Sequence, residues 1–553
     1  MQRQLIECVP NISEGRDRTK IDAIASIVET VEGVRLLDVD PGKATNRTVI
    51  TFVGEPGPVC EAAYRLIKKA QELIDMRGHK GEHPRFGATD VCPLVPISGI
   101  SMEECAAWAK KLGERVGNEL GIPVYLYEAA ANEEKRKNLA NNRSGEYEGL
   151  PKKLKDPAWK PDFGPAEFND SVARSGAMAI GARNFLVAYN VNLNSTSTRR
   201  ANAIAFDIRE AGRKVKQADG SEVQVPGKLK SVKGIGWFIE EYGVAQLSLN
   251  LTDITVTPVH IAFDEACKAA EARGIRVTGS ELVGLIPKQS LLDAADFYLQ
   301  RQERSLGIPE REKIKIAVKS LGLDDLGPFD PQKKVIEYML EDANSERLVR
   351  MDLKRFSEET AGESPAPGGG SVAAYVGALG VSLGTMVANL SAHKRGWDDR
   401  WEEFSQWAER GEKLRNELLF LVDEDTRAFD RIMAAMGLPK GSDEEKAARK
   451  TAITEATKGA INTPLRTMQV CVESMDLMKA MANIGLPASV SDAGVGALCA
   501  RTGAIGGYLN VRINCAGLDD AAFKEKVLKE AETLKAKAEA LEAEVMALTL
   551  AKV

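Results

Sequence analysis

VRLLDVDPGKATNRTVITFVG, residues 34–54, contains two β-rich runs, 34–40 and 47–54, separated by the turn PGKATN. Val, Leu, Ile and Thr dominate both runs, and Pro-Gly punctuates them, as two neighbouring strands require. On the N-terminal side, IDAIASIVETV (21–31) places Ile21, Ile24, Ile27, Val28 and Val31 on one helical face, and QLIECV (4–9) reads as a strand. On the C-terminal side follow a helix at 57–76, a strand at 91–97, a helix at 101–120 and a strand at 122–127. The order is βαββαβ with an extra helix and strand.

The same order returns further on. NFLVAYNVNL (184–193) reads as a strand, 196–212 as a helix, and KSVKGIGWFIEEYGVAQLSLNL (230–251) as two strands turning at Tyr242-Gly243. A helix at 258–273 and a short strand at 275–278 complete the repeat. Between the halves, 129–176 is polar and rich in turn formers, the composition of a functional loop or linker. Two similar halves place a cleft at their junction, where ligands tend to bind. After Pro331 the strand signal ends, and helical patterns cover 371–392, 398–436, 443–480 and 518–551. The expected architecture is two α+β subdomains of βαββαβ, ferredoxin-like type (1–185 and 186–340), a linker at 341–348, and an all-α helical-bundle domain at 349–553.

The bulk numbers agree with several domains: 553 residues at about 150 per domain make roughly three or four. A net charge of −6 and a pI near 5.7 argue against a dedicated nucleic-acid binder. No run of about 18 apolar residues is present, so no membrane span is expected. MQRQLIECVPN lacks a signal-peptide core, and the eight cysteines are scattered without a CxxC pair, which fits reduced thiols in the cytoplasm. Neither HExxH nor CxxC…CxxC occurs, so no metal site is expected.

Chemistry concentrates in a few places. GHKGEHPRFGATD (78–90) carries two of the four histidines, His79 and His83, with Glu82, Arg85 and Asp90. Its glycines and proline exclude regular structure. A carboxylate on the His83 imidazole would fix its tautomer and raise its basicity, as a general base needs. The dull alternative is a loop histidine bonded to backbone. Asp38 and Asp40 alternate on one strand face, and Asn46 and Arg47 add anion-binding capacity; turn chemistry explains the same residues. In LVDEDTRAF (421–429), Asp425 follows the apolar stripe Leu418–Val422–Phe429–Ile432, so it turns inward, where a carboxylate needs a partner or a task. PAPGGGSVAAYVGALG (365–380) opens a helix whose free N–H groups favour an anion, although a linker or tight packing reads equally well. GAIGGY (503–508) is a weak nucleotide signal, since no strand precedes it. His393 suits a helix C-terminus as a cation, and His260 suits packing.

ECVPNISEG (7–15), TNRTV, GEHPRFGATDVCP (81–93), GIPVYLYE (121–128), DFGP (162–165), AYNVNL, LVGLIP (282–287), APGGGSVAA (366–374) and LVDEDTRAF occur in an order that resembles the bifunctional glutamate formimidoyltransferase–formimidoyltetrahydrofolate cyclodeaminase family. The resemblance covers essentially the whole chain. It implies transfer of a formimino group from N-formimino-L-glutamate to N5 of tetrahydrofolate, possibly polyglutamylated. It then implies cyclisation to 5,10-methenyltetrahydrofolate with loss of ammonia, in histidine degradation and one-carbon metabolism. It marks His83 as the transferase base, Asp425 as the cyclodeaminase acid/base group, and a folate segment from Gly164 to Gly176 that includes Pro165 and Phe168. NDSVARSGA in that segment is a few residues longer than the family pattern, and Gly369 stands where the pattern has Ala. Asp40 is the proposed orienting partner of His83, and Arg47 and Arg85 suit bidentate grip on substrate carboxylates. The resemblance further implies a cytoplasmic homo-oligomer built from dimers, with small-molecule substrates, no nucleic acid and no membrane. The helical domain also resembles methenyltetrahydrofolate cyclohydrolases, which leaves hydrolysis as an alternative second reaction; a non-catalytic scaffold is the reading from another class.

Overall fold

The alternation around 34–54 produces strands in the computed structural model, which describes residues 4–42, 46–81, 84–240, 242–340, 348–364 and 366–553. The first sheet contains β1 (Leu5–Cys8), β2 (Asn11–Ile12), β3 (Val34–Gly42), β4 (Arg47–Gly54), β5 (Thr89–Ser98), β6 (Val124–Glu128) and β7 (Met178–Ala182). β1 and β2 lie in line between β4 and β5, with β3 outside β4, all antiparallel. β7 then joins β5 to β6 in parallel. The sequence reading lacked β7. Its residues, MAIGA, have little strand propensity of their own, and the ladders on both sides decide their state.

Period-two alternation divides the sheet's faces. Ile6, Cys8, Ile50, Phe52, Cys92 and Leu94 pack into one core with the helices Pro56–Leu73 and Met102–Leu120. Tyr125, Tyr127 and Ala179 belong to a second cluster with Phe86, Leu150, Leu154 and Val172. That cluster corrects the reading of 129–176 as a loop or linker: the segment forms the helices Glu134–Lys137, Leu139–Arg143, Glu146–Lys153 and Asp170–Ser175. Leu150, Leu154 and Val172 become buried, and the polar Arg136, Asn142 and Lys153 with them, a pattern that average composition conceals.

The second sheet follows the sequence reading more closely. β8 (Val187–Leu193) is followed by a hairpin of β9 (Arg213–Lys216) and β10 (Glu222–Val225), then β11 (Val232–Ile239), β12 (Val244–Leu251) and β13 (Val277–Val283). The order β11-β12-β8-β13 is antiparallel throughout, with the helices Thr198–Ile208 and Val259–Glu271 between strands. The expected turn at Tyr242-Gly243 holds, with Gly243 at φ +66°. The β9–β10 hairpin was unread, although Asp219-Gly220 is its turn signal.

The C-terminal region is helical: Gly369–Ala392, Trp401–Met436, Asp443–Ile484, Val490–Ala516 and Ala521–Leu550. The sequence reading omitted Val490–Ala516. GAIGGY lies inside it, so its glycines serve packing rather than a nucleotide loop: a Cβ on Gly503 would stand 2.8 Å from the Ala373 carbonyl oxygen. Gly369–Ala392 is apolar and long enough to cross a membrane by composition, but 61% of its most apolar window is buried among neighbouring helices. Residues 292–320 group with this helical region, whereas 321–341 group with the sheets. The expectation had placed 292–320 in the second subdomain. Tertiary hydrogen bonds make the difference: Ser405 Oγ accepts from Leu306 N at 2.9 Å, and Asn389 Nδ2 donates to the Gly307 carbonyl at 2.8 Å.

Helix crossing at small residues makes a test. A Cβ on Gly380 would stand 2.6 Å from the Gly496 carbonyl, whereas one on Gly459 meets nothing within 4 Å. Gly380→Val is expected to cost about 1–3 kcal/mol through overpacking. Gly459→Ala is expected to be neutral or to stabilise by roughly 0.5–1 kcal/mol. Thermal unfolding of the two variants measures the contrast.

Candidate active sites

The loop around the two histidines is held from two sides. Ser13 N and Oγ donate to the Ala88 and Gly87 carbonyls at 2.8 and 2.7 Å. On the other side, Ala88 N donates to Ser175 O and Ala177 N to Phe86 O, at 2.7 and 2.8 Å. Gly87 and Gly176 pair directly, and a Cβ on Gly176 would lie 2.3 Å from the Phe86 carbonyl. Gly176, which belongs to the expected folate segment, therefore fastens this loop in place. Glu82 and His83 lie outside the described residues, and so does the expected contact between His83 and Asp40.

His79 is fully engaged. Its Nδ1 accepts from Arg85 Nε at 3.2 Å, so its Nε2 carries the proton and donates to Asn46 O at 2.9 Å. Burial lowers its pKa and keeps the ring neutral. Arg85 has its five N–H groups directed at His79 Nδ1, His79 O, Glu146 and both oxygens of Glu148. An open recess lined by Lys80, Gly81, Arg85, Gly145, Glu146 and Glu148 adjoins it. Arg47 donates to Asp90 at 3.3 Å, and burial pushes its guanidinium down to about 10. Asp90, fully buried, also accepts from Arg143 and from Phe86 N. Both arginines expected to grip substrate are thus turned to carboxylates of the protein. Asn46 likewise bonds Gly15 N and Lys80 O instead of presenting free anion-binding capacity.

Asp38 and Asp40 are exposed on β3 opposite Thr51 and Val49, on one face as the alternation required. Gly164 adopts φ +81°, and a Cβ there would stand 2.2 Å from the Ile122 carbonyl. Pro165 and Phe168 are half-buried, and the Phe168 ring lies 6.4 Å from that of Tyr147, whose N donates to Arg85 O. The Gly164–Gly176 segment and the histidine loop are therefore neighbours through Tyr147 and Gly176.

The second constellation lies in the helical region. Of the acids in LVDEDTRAF, Asp423 accepts from Leu348 N at 2.7 Å and Glu424 pairs with Arg427 and Arg431. Asp425 alone faces a cleft of about 170 Å³, lined also by Gly368, Gly370, Phe429, Asn510 and Asn514. Its Oδ2 accepts from Ser371 N at 2.9 Å and lies 3.2 Å from Ser371 Oγ, which shares its one hydroxyl hydrogen between this oxygen and the Val422 carbonyl at 2.9 Å. Ser371 stands in the first turn of Gly369–Ala392, where amide groups lack intrahelical acceptors. Burial raises the Asp425 pKa, and the Ser371 bonds oppose that rise. The PAPGGGS motif thus supplies donors to an anion, but the anion is the chain's own carboxylate. His393 departs from its expected cationic role: its Nε2 accepts from Ser305 N at 3.4 Å, and burial, then Arg304, lowers its pKa. His260 is buried at a helix start, as expected.

Residues 5–183 match the family model Formiminotransferase domain, N-terminal subdomain; 188–341 match Formiminotransferase domain; and 352–533 match Formiminotransferase-cyclodeaminase. Formimidoyltransferase-cyclodeaminase from Rattus norvegicus is 44% identical over 538 residues, spanning 96% of this chain and 97% of the relative. The chain belongs to the formimidoyltransferase-cyclodeaminase family. Each part of this family member also resembles shorter proteins. Glutamate formimidoyltransferase from Thermoplasma acidophilum is 44% identical over 316 residues, 57% of this chain and 98% of that protein. Methenyltetrahydrofolate cyclohydrolase from Methylorubrum extorquens is 42% identical over 201 residues, 36% of this chain and 97% of that protein.

Sequence reasoning missed Arg143, which lies in the segment read as a linker, and the pairing of Ser371 with Asp425. It also missed Asn510 and Asn514, whose helix was unread; their i, i+4 spacing is the signal that would have revealed a shared face. Gly370 offers a direct test, because its Cβ would stand 2.1 Å from Asp425 Oδ1. On Gly369 the nearest atom would be Asn510 Nδ2 at 3.5 Å, an ordinary contact. Gly370→Ala is expected to abolish the activity of the helical region while leaving that of the sheet region, and Gly369→Ala to retain most of both. Separate assays of the two activities measure this.

Proposed function

We propose that this chain transfers the formimino group of N-formimino-L-glutamate to N5 of tetrahydrofolate. It then cyclises 5-formiminotetrahydrofolate to 5,10-methenyltetrahydrofolate and releases ammonia, in histidine degradation. The observation that carries the reading is the Asp425 carboxylate, raised by burial, held by Ser371 and facing its own cleft.

In transfer, N5 attacks the amidine carbon, and a base must take the N5 proton while the departing glutamate nitrogen gains one. His83 is the proposed base. Both ring nitrogens of His79 are occupied, which supports His83 in that role. Asp40 is its proposed orienting partner. Arg47 and Arg85 hold the loop through Asp90, Glu146 and Glu148, so we infer a positioning role for them rather than direct grip on substrate. The 164–176 segment is the proposed folate surface, with Pro165 and Phe168 as its apolar part.

In cyclisation, the N10 lone pair attacks the formimino carbon. The N10 proton passes through Asp425 to the terminal nitrogen, the bond from carbon to that nitrogen breaks, and ammonia leaves. With the Ser371 amide on Oδ2, Oδ1 is the oxygen that meets substrate. A carboxyl raised by burial suits acceptance and return of one proton. The competing reading, hydrolysis of methenyltetrahydrofolate, is favoured by the similarity of the helical region to the cyclohydrolase and predicts no ammonia.

The strand order of each βαββαβ run, second-third-first-fourth, supports a ferredoxin-like assignment for both α+β halves. Eight free cysteines suit a cytoplasmic location. Exposed Leu379, Met386 and Leu390 on one helix, with Val495, Leu498, Leu509 and Ile513 on another, support a homo-oligomer built from dimers.

Two measurements test the mechanism. In a coupled assay of the full chain, His83→Ala is expected to lose transfer alone, and Asp425→Ala to accumulate 5-formiminotetrahydrofolate; loss of both steps in both variants would defeat the two-site reading. Ser371→Ala removes a donor that favours the ionised carboxylate, so the Asp425 pKa rises further. The ionised base is then lost sooner on acidification, and the acidic limb of the ammonia-release profile is expected to move to higher pH. An unmoved limb would separate Ser371 from Asp425.

A further inference from the structure

The cleft beside Asp425 has an unusual polarity. Its charged lining residues are Asp425 and Asp430, with no lysine or arginine, and Asn510 and Asn514 enter from the helix Val490–Ala516. One turn separates these asparagines, so they share a face. Each carboxamide has its direction set by its nitrogen: Asn510 Nδ2 donates to the Gly506 carbonyl at 2.9 Å, and Asn514 Nδ2 to the Ala460 carbonyl at 2.8 Å. With the nitrogens so held, the Oδ1 atoms have no hydrogen-bond donor among the described residues. Thr426 Oγ1, on the same cleft, is buried and also without a partner. Beside the backbone amides of Gly368–Gly370 and the Thr426 hydroxyl, which can donate, the asparagines contribute acceptor oxygens, and that part of the wall calls for a ligand group that donates.

We propose that Asn510 and Asn514 are specificity-determining residues that accept hydrogen bonds from the terminal formimino nitrogen and so select a formimino group over a formyl group. The inference rests on the cyclodeaminase reading. A protonated amidine carries two N–H groups on its terminal nitrogen, whereas a formyl group presents an oxygen at the same place. Against acceptor oxygens the first forms hydrogen bonds, and the second leaves them unmade with lone pairs opposed. As the carbon–nitrogen bond breaks, the departing nitrogen receives the N10 proton through Asp425 and leaves as ammonia, with its N–H groups still directed at the two amide oxygens. The positive charge stays on the N5–carbon–N10 unit.

The test uses the full chain, with steady-state ammonia release from 5-formiminotetrahydrofolate and 5-formyltetrahydrofolate as competitive inhibitor. Asn510→Leu and Asn514→Leu are each expected to raise KM for the formimino compound about tenfold, while Ki for the formyl compound stays level or falls. Asn514→Asp keeps an acceptor oxygen and is expected to restore a KM near wild type. A role confined to bonding Ala460 O predicts the reverse, because a carboxylate facing that carbonyl is worse than leucine. A parallel rise of KM and Ki, or an Asp variant no better than Leu, would overturn the proposal. Retained transferase activity in the same preparations verifies that the variants are folded in the sheet region, and circular dichroism does so for the helices. Absence of ammonia release in the wild type would instead reject the reading on which the inference rests.

Discussion

At Gly370 there is no space for a methyl group, because the Asp425 carboxylate occupies the position a Cβ would take. That contact ties two helices together and decides the state of the acid. Helix Gly369–Ala392 presents the Ser371 amide and hydroxyl to Oδ2, while burial opposes ionisation. Desolvation and hydrogen bonding act in opposite directions on the same proton. The same kind of close approach recurs where Gly380 meets Gly496 and where Gly503 meets Ala373. Small residues let the helices approach closely, and the cleft lies among them.

The sheet region relies on a related device with charge added. Gly87 and Gly176 pair backbone to backbone, and buried Asp90 collects Arg47, Arg143 and the Phe86 amide. A buried carboxylate with two guanidinium partners is costly to desolvate, and removing one partner strands the others. Such a cluster specifies one arrangement of the loop. It also explains why arginines that look available in the sequence do not point outward: each is committed to a carboxylate that lies far away in the chain.

Much of this is legible in the amino-acid sequence. The β-rich runs around 34–54, the repeat of βαββαβ and the change to helix after residue 341 all follow from local periodicity, which needs only neighbouring residues. Asp425 was legible for the same reason, since an i, i+4 apolar stripe fixes which way a helical side chain turns. What stayed hidden lacked a local signal. MAIGA becomes a strand because β5 and β6 flank it, and 129–176 folds because a few apolar residues find the back of a sheet. Helix Val490–Ala516 escaped notice because its glycines read as loop, although in a tight crossing they are packing residues.

The sequence by itself determined the two kinds of region, their order, and the residue types able to move protons at 78–90 and 421–432. Those properties depend on pattern and composition over a few turns. Only the tertiary structure decided that Asp425, and neither Asp423 nor Glu424, faces the cleft with Ser371, and that Asn510 and Asn514 line the same cleft. It alone showed Arg47 and Arg85 committed to Asp90, Glu146 and Glu148, and 292–320 grouped with the helices. Each of these outcomes depends on which polar groups meet across distant parts of the chain, where an unpaired buried group is too costly to persist.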